Sequence, residues 1–226
     1  MEHHSITLAG ILITEPGTCF TDIILSVLCF FLYWKVKKDF ASSHFINAWK
    51  YFFLFMSIST GIGVFVHGFK SYFFPLLYHY TWLAMNISAA AASYFTLRAM
   101  SKFVSRNVKE RKKINALNLF LFSGFVFVTL LFNNFEIVKI YIAIAVTCNF
   151  LVHLIGHFRE DAASRFIMLG MFISFFTIFI HSTQVIYNAW IDYKSISHLI
   201  MMMSILLVYR GVKVTHAKLE TSFIRN

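Results

Sequence analysis

Histidine and carboxylate side chains recur inside, or at the edge of, long apolar segments of this sequence. The candidates are His67, His79, His181, His198, Asp22 and Asp192. Neutral imidazole is the commonest zinc ligand in proteins, and a catalytic zinc takes three protein ligands and keeps one position for water. This residue set therefore favours a zinc site formed by His67, His79 and His198, with His181 as a further candidate ligand.

The carboxylates and one serine are candidates for the accompanying chemistry. A carboxylate beside a metal site orients an imidazole or acts as a general base. Asp22 and Asp192 suit these roles, and Ser195 lies one helical turn before His198 on the same face. The alternative is that each is an ordinary hydrogen-bonded residue, and Asp22 could simply cap the first helix.

Composition places these residues in a membrane protein. Apolar residues make up 58% of the 226 residues and charged residues 13%, against about 45–50% and 25% in soluble domains. This excess of apolar side chains excludes a soluble enzyme, a nucleic-acid-binding domain and a disordered tail. The three cysteines, Cys19, Cys29 and Cys148, are too few and too scattered for a disulfide framework and are interpreted as packing residues.

Seven apolar segments are long enough to cross a hydrocarbon core of about 30 Å, which takes about 20 residues. They run approximately over Thr18–Trp34, Ala48–Phe69, Pro75–Leu97, Ile114–Phe132, Ile137–His157, Phe166–Tyr187 and Trp190–Val212. The sequence therefore predicts one all-α domain over residues 1–226, a polytopic seven-helix transmembrane bundle.

Basic residues predict the orientation of this bundle. Of the 20 lysines and arginines, all but Lys70, Lys139 and Lys194 lie in the connections after the first, third and fifth segments or in the C-terminal tail. Because basic residues stay on the cytoplasmic side, the N-terminus is predicted outside and the C-terminus in the cytoplasm. The predicted location is the cell membrane, specifically a bacterial inner membrane.

Depth places the candidate residues in one layer. At about 1.5 Å of rise per residue, Asp22 and His79 lie about 6 Å below the outer boundary, and His198 lies about 12 Å below it. His67, His181 and Asp192 fall within the same layer. Ionisable residues inside a membrane are costly and mark functional sites by default.

Three further signals leave functional and structural interpretations open. His153 and His157 have the spacing of a metal-binding pair, but a solvated interfacial face is favoured because no third ligand is evident. Lys194 occupies the helix that carries the retinal lysine of seven-helix rhodopsins, although it lies too close to the boundary for a dry pocket. The basic connection RAMSKFVSRNVKERKKIN is either a topology anchor or a binding site for anionic lipid head groups.

Two resemblances extend this interpretation. The segments TEPGTCFTDIILS, GVFVHG and SISHLIMM, with the later LLVYRG, are similar to an uncharacterised bacterial seven-transmembrane family. More distantly, the layout resembles the CREST superfamily, which includes alkaline ceramidases and progestin/adiponectin-type receptors. That resemblance implies seven helices and a zinc site.

The CREST pattern maps only partly onto this chain. His67 matches the ligand at the end of helix two, and His198 matches one helix-seven ligand. Gly63 stands where the pattern has serine, and Lys194 where it has the second helix-seven histidine. The helix-three carboxylate is absent, with His79 the nearest candidate, so His79 or His181 would have to complete a metal site.

Three functions are compatible with this sequence. The first is a zinc-dependent hydrolase of lipid amides or esters at the outer leaflet. The second is a sensor or receptor that binds a small ligand in the same outer pocket, and the third is a transporter or proton-coupled channel. The expected partners are membrane lipids and a small lipid-like ligand or substrate, with no nucleic acid; oligomeric state and physiological role are left open.

Overall fold

A helical bundle follows a short N-terminal hairpin. The computed structural model describes residues 5–105, 107–184, 187–188 and 190–224. The strands are β1 (Ser5–Leu8) and β2 (Ile11–Thr14), and the helices are α1 (Pro16–Asp39), α2 (His44–Gly68), α3 (Pro75–Val104), α4 (Val108–Phe132), α5 (Phe135–Phe158), α6 (Ala162–Thr183) and α7 (Tyr193–Ile224). A single 3-10 turn, Lys70–Tyr72, joins α2 to α3.

Polar residues at the connections explain where the helices start and stop. The side chains of Asn107, Asn134 and Asp161 each accept a backbone N–H from the first turn of the helix that follows, as N-cap residues do. Asn133 and Gln184 end α4 and α6 in the left-handed region, which terminates a helix and reverses the chain.

Each helix packs mainly on its neighbours in sequence, and α7 closes the arrangement. The helix α2 lies between α1 and α3, α5 joins α3 to α6, and α7 packs on both α6 and α1. The largest core cluster includes Leu25, Trp49, Phe53, Ile167 and Ile205, from α1, α2, α6 and α7. By contrast α4 is peripheral, with only Asn118 and Thr129 buried.

The bundle has two chemically distinct ends. The hairpin end comprises the β1–β2 hairpin, the starts of α1, α3, α5 and α7, and the ends of α2, α4 and α6. The basic end comprises the α1–α2, α3–α4 and α5–α6 connections and the C-terminal part of α7. In the sequence, 17 of the 20 lysines and arginines fall in these connections, in the helix ends that flank them or in the C-terminal segment.

In the described part of the chain, six helices are long and apolar enough to cross a membrane: α1, α2, α4, α5, α6 and α7. The predicted all-α fold with apolar helices is confirmed to that extent. The helix α3 has a middle of small and polar residues, but it lies along α2 from Trp82, beside His67, to Arg98, beside His44.

Several helices extend beyond the predicted apolar segments, and the bounds around the α6–α7 connection differ most for the site. The sixth segment was expected to reach Tyr187, whereas α6 ends at Thr183 because Gln184 adopts a left-handed conformation. The seventh was expected to begin at Trp190, whereas α7 begins at Tyr193, after Asp192. The helix α7 also continues past Val212 to Ile224. This last part is polar, so an apolar segment does not predict it.

Candidate functional site

Glu15 joins three helices at the hairpin end. It precedes Pro16 in a left-handed conformation (φ 48°) and does not cap α1 with its side chain. Its Oε2 instead lies 3.0 Å from His67 Nδ1 of α2 and accepts a 2.6 Å bond from Lys194 Nζ of α7. The three side chains are only 8%, 11% and 14% exposed respectively. A left-handed non-glycine residue costs about 1–3 kcal/mol, so these contacts must hold Glu15 in place.

Electrostatics keep Glu15 ionised. Burial by itself would raise the pKa of this carboxyl group, because it disfavours the charged form. The hydrogen bond with His67 and the positive charge of Lys194 outweigh burial and lower the pKa of Glu15 to about 2. Glu15 is therefore a carboxylate over the whole physiological pH range.

Asp192 connects the start of α7 to α1. Its Oδ1 accepts the backbone N–H of Ser195 at 2.8 Å and the Ser195 hydroxyl at 2.7 Å. This is the geometry of an N-cap aspartate, which satisfies donors left free at a helix start. The Thr18 hydroxyl of α1 donates to both carboxylate oxygens at 3.0 Å. Asp192 and Ser195, two of the predicted catalytic residues, thus lie together and are hydrogen-bonded to each other.

Asp22 and His198 form the deepest contact of this region. Asp22 Oδ1 lies 3.5 Å from His198 Nε2, and the Asp22 side chain is only 3% exposed. His198 Nδ1 lies 3.0 Å from the hydroxyl of Thr21. In the described structure Asp22 Oδ2 is buried without a hydrogen-bond partner, an arrangement that is costly for a carboxylate.

Glycine allows α1 to approach α2 closely at this point. A Cβ atom placed on Gly63 would lie 2.8 Å from Asp22 Oδ2, too close for an ordinary contact. One turn further, a Cβ on Gly68 would lie 2.6 Å from Cys19 Sγ. Small residues at such positions let helix backbones come together, and here they bring α2 against the carboxylate.

Three sets of contacts lie at the hairpin end: Glu15 with His67 and Lys194, Asp22 with His198, and Asp192 with Thr18 and Ser195. We call their ionisable members together the charge cluster: Glu15, Asp22, His67, Asp192, Lys194 and His198. It contains three carboxylates, one ammonium group and two imidazoles. If every carboxylate were ionised and both imidazoles neutral, negative charge would exceed positive charge by two. A buried group of this composition favours protons or another positively charged ligand.

Two of the predicted zinc ligands make their contacts elsewhere. His79 is exposed, and its Nδ1 lies 2.9 Å from Asn133 Nδ2 at the end of α4. His181 lies against the rings of Phe135 and Tyr193, each with a ring-centroid distance of 5.1 Å. His67 and His198 belong to the charge cluster, so the contacts divide the four histidines between different places.

These residues do not fit a zinc centre as they stand. Among all residues that the structure describes, no group of three or more His, Cys, Asp or Glu side chains is placed to hold a metal ion. We therefore derive no chemical step through a metal. The zinc site stays a prediction, which metal analysis of the purified protein would test.

Sequence reasoning missed Glu15 and underestimated Lys194. The sequence suggests for Lys194 only a retinal lysine or a replacement for a CREST histidine, yet its ammonium group forms an ion pair with Glu15. The available signal was Pro16. Proline is common at the first position of a helix, where its missing N–H is not needed, so it places Glu15 at the start of α1. The expected solvated pair at His153 and His157 is wrong for His153, which is fully buried and bonded to Ser164.

The chain was compared with known proteins. No curated protein and no solved structure matches it. One family model matches residues 17–216, which takes in all seven helices except the first residue of α1 and the last two turns of α7, but not the hairpin or Glu15. The chain therefore belongs to DUF6962, a family of unknown function.

Proposed function

We propose that this protein is an integral membrane sensor whose charge cluster binds protons and thereby changes how α1, α2 and α7 pack. The observation that carries the proposal is Asp22, a carboxylate buried inside a helix bundle with one oxygen unpartnered and an imidazole 3.5 Å from the other. Ionisable groups in such positions mark proton or ligand sites by default.

All seven helices span the membrane in this proposal. Six meet the requirements of length and apolarity, and α3 accompanies α2 along its whole length. The distribution of basic residues supports an orientation with the basic end in the cytoplasm and the hairpin end outside. The cell membrane is the location that this topology supports, and the charge cluster would then face the outer side.

Protons are the ligands that best match the cluster. Asp22 and His198 are close enough to share a proton, so they titrate as a pair and not as separate groups. Adding a proton to the pair reduces the excess of negative charge and gives Asp22 a hydrogen to donate. Lys194 already neutralises one carboxylate, Glu15, whereas in the described structure no lysine or arginine forms an ion pair with Asp22. Asp22 and His198 are therefore the pair that we expect to take up the proton.

The helices α1 and α7, which meet in the charge cluster, also meet at the basic end. The backbone N–H of Ala41, just after α1, donates to His216 Nδ1 of α7 at 3.2 Å, and the Phe40 ring stacks on the His216 ring at 4.5 Å. Between these contacts α1 and α7 share a packed core that includes Leu32 and Val208. A shift of α7 at the cluster would therefore alter its contact with the end of α1.

Hydrogen exchange in lipid nanodiscs tests this coupling. Exchange of the backbone amides near His216 is measured between about pH 8 and pH 5, after correction for the intrinsic effect of pH on exchange. We expect protection there to change with pH in the wild type and to become independent of pH in Asp22→Asn. Asp39→Asn is the matched control, since Asp39 is an exposed carboxylate on the same helix.

Two outcomes would contradict the proposal. The first is exchange at the basic end that does not change with pH in the wild type. The second is the same change in Asp22→Asn as in the wild type. Metal analysis of these preparations separates this function from the hydrolase: about one zinc per chain, lost in both His67→Ala and His198→Ala, would favour the metalloenzyme.

A further inference from the structure

A cleft at the basic end has the composition of an anion site. It lies between α2 and α3, has a volume of about 130 Å³ and is lined by His44, Asn47, Ala48, Tyr51, Phe95 and Arg98. One water occupies about 30 Å³ of liquid, so this cleft has room for a tetrahedral oxyanion. It is at the opposite end of the bundle from the charge cluster.

Arg98 provides the main positive charge of this cleft, and its hydrogen bonds there are accepted by side chains that carry no negative charge. Its Nε donates to His44 Nε2 at 3.4 Å, and its Nη1 to the Tyr94 hydroxyl at 3.5 Å. Both distances are long for bonds to a guanidinium. Within the described part of the chain Arg98 makes no ion pair with a carboxylate, which leaves its charge uncompensated.

Hydrogen-bond donors outnumber acceptors around this arginine. The Asn115 side-chain amide of α4 also approaches His44 Nε2, at 3.5 Å, so two donors converge on one imidazole nitrogen. Lys102 and Arg111 are close enough to act electrostatically on His44. Lys50 Nζ donates to Asn47 Oδ1 at 3.0 Å. An acceptor with several oxygens and negative charge would satisfy these donors better than the imidazole does.

Phosphate is the group that this arrangement fits best. The guanidinium fork of arginine binds phosphate oxygens in a bidentate geometry, and aromatic side chains are common where a membrane meets water. Tyr51 is exposed at the cleft, and Phe95 stands beside it with ring centroids 5.1 Å apart. These apolar rings would lie against acyl chains while Arg98 faces the headgroup.

We propose that this cleft binds the phosphate of an anionic phospholipid in the leaflet at the basic end. Arg98 contacts the phosphate oxygens directly, while His44 positions the guanidinium and Asn115 contacts His44 from α4. The nearby lysines raise the local concentration of anionic lipid, as basic clusters at a membrane surface do. This proposal does not depend on the sensor function of the charge cluster.

Thermal unfolding of the detergent-purified full chain tests the proposal. Short-chain phosphatidylglycerol, short-chain phosphatidylcholine and inorganic phosphate are titrated separately, and the shift in Tm gives an apparent Kd for each. We expect phosphatidylglycerol to stabilise the wild type, and the other two additives to have little effect. Arg98→Gln should weaken the apparent affinity for phosphatidylglycerol about tenfold or more, and Arg98→Lys should weaken it less.

Arg159→Gln is the matched control, because Arg159 is an exposed arginine of the same end outside the cleft. It should keep the affinity of the wild type. An equal loss in both glutamine variants would overturn the proposal by showing general electrostatic attraction. An equal response to phosphatidylcholine would also overturn it, and an equal response to inorganic phosphate would overturn the assignment to a lipid. If Arg98→Gln fails to fold, unchanged affinity in Arg98→Lys overturns the role of the guanidinium.

Discussion

The two ends of this bundle use charge in opposite ways. At the hairpin end, Glu15, His67 and Lys194 are buried and come from three different helices. At the basic end, the pair Lys113–Glu110 joins residues of a single helix and is largely exposed, and Lys218–Asp161 joins α7 to the start of α6 with the lysine exposed. Burying charge costs free energy that exposed charge does not. The hairpin end is therefore the end where buried charge must be matched by specific contacts between helices, whereas charge at the basic end is mostly exposed.

Removal of Lys194 should have the largest effect. Lys194→Ala removes the ammonium group that faces the buried carboxylate of Glu15, which should lower the free energy of unfolding by about 3–5 kcal/mol. Lys113→Ala breaks an exposed pair and should cost about 1 kcal/mol or less. Equilibrium unfolding of both variants in the same detergent measures the difference. Equal and small effects would show that the charge cluster is no more strongly coupled than the surface pairs.

Acid should weaken the hairpin end through Glu15. Its pKa is lowered from an ordinary value of 4.5 to about 2 in the folded protein. Stabilisation by this lowered pKa is fully present above about pH 4.5 and is lost as pH falls toward 2, by on the order of 3 kcal/mol. Unfolding free energy measured over this range should fall less steeply in Glu15→Gln than in the wild type. Parallel curves for the two proteins would contradict this assignment.

Two glycines should respond oppositely to alanine. Gly63→Ala places a methyl group against Asp22 Oδ2 and should cost about 1–3 kcal/mol, as overpacking does. Gly124→Ala on α4 meets nothing within 4 Å and should stabilise its helix by up to about 1 kcal/mol. Thermal unfolding of both variants provides the test. A neutral Gly63→Ala would mean that α1 and α2 are not closely packed at Asp22.

The smallest effect is expected from the exposed partner of Asp39 at the basic end. Lys35 lies 3.4 Å from Asp39, and both side chains are 39% exposed. Lys35→Gln should change the free energy of unfolding by less than about 0.5 kcal/mol. The same unfolding assay measures it at low and moderate salt, and a loss comparable to that of Lys194→Ala would remove the contrast between the two ends.

Much of the fold could be predicted because apolar length alone decides where helices cross a membrane. The six qualifying helices all coincide with predicted segments. The hairpin was missed although its signal is visible: Ser5–Leu8 and Ile11–Thr14 flank Ala9–Gly10, both with positive φ, which is the conformation of a two-residue hairpin turn. Its two strands of four residues each are too short to register among the long apolar segments on which the prediction of the fold depends.

The depth of the candidate site residues could be predicted from the sequence, but the direction in which each helix faces could not. Rise per residue placed Asp22, His67 and His198 in one layer, and the structure does bring Asp22 and His198 together. The same layer contained His79 and His181, whose contacts lie elsewhere. Which way a helix faces depends on packing against its neighbours, and a single sequence does not encode that as a simple periodicity when most faces are apolar.

Infrared difference spectroscopy of Asp22 tests the central claim most directly. Spectra of the reconstituted protein at about pH 9 and pH 5 are subtracted, for the wild type, Asp22→Asn and Asp39→Asn. The account predicts a C=O band of a protonated, buried carboxyl group that appears on acidification in the wild type and in Asp39→Asn, and is absent in Asp22→Asn. No such band in the wild type, or the same band in Asp22→Asn, would contradict the assignment of the charge cluster as a proton site.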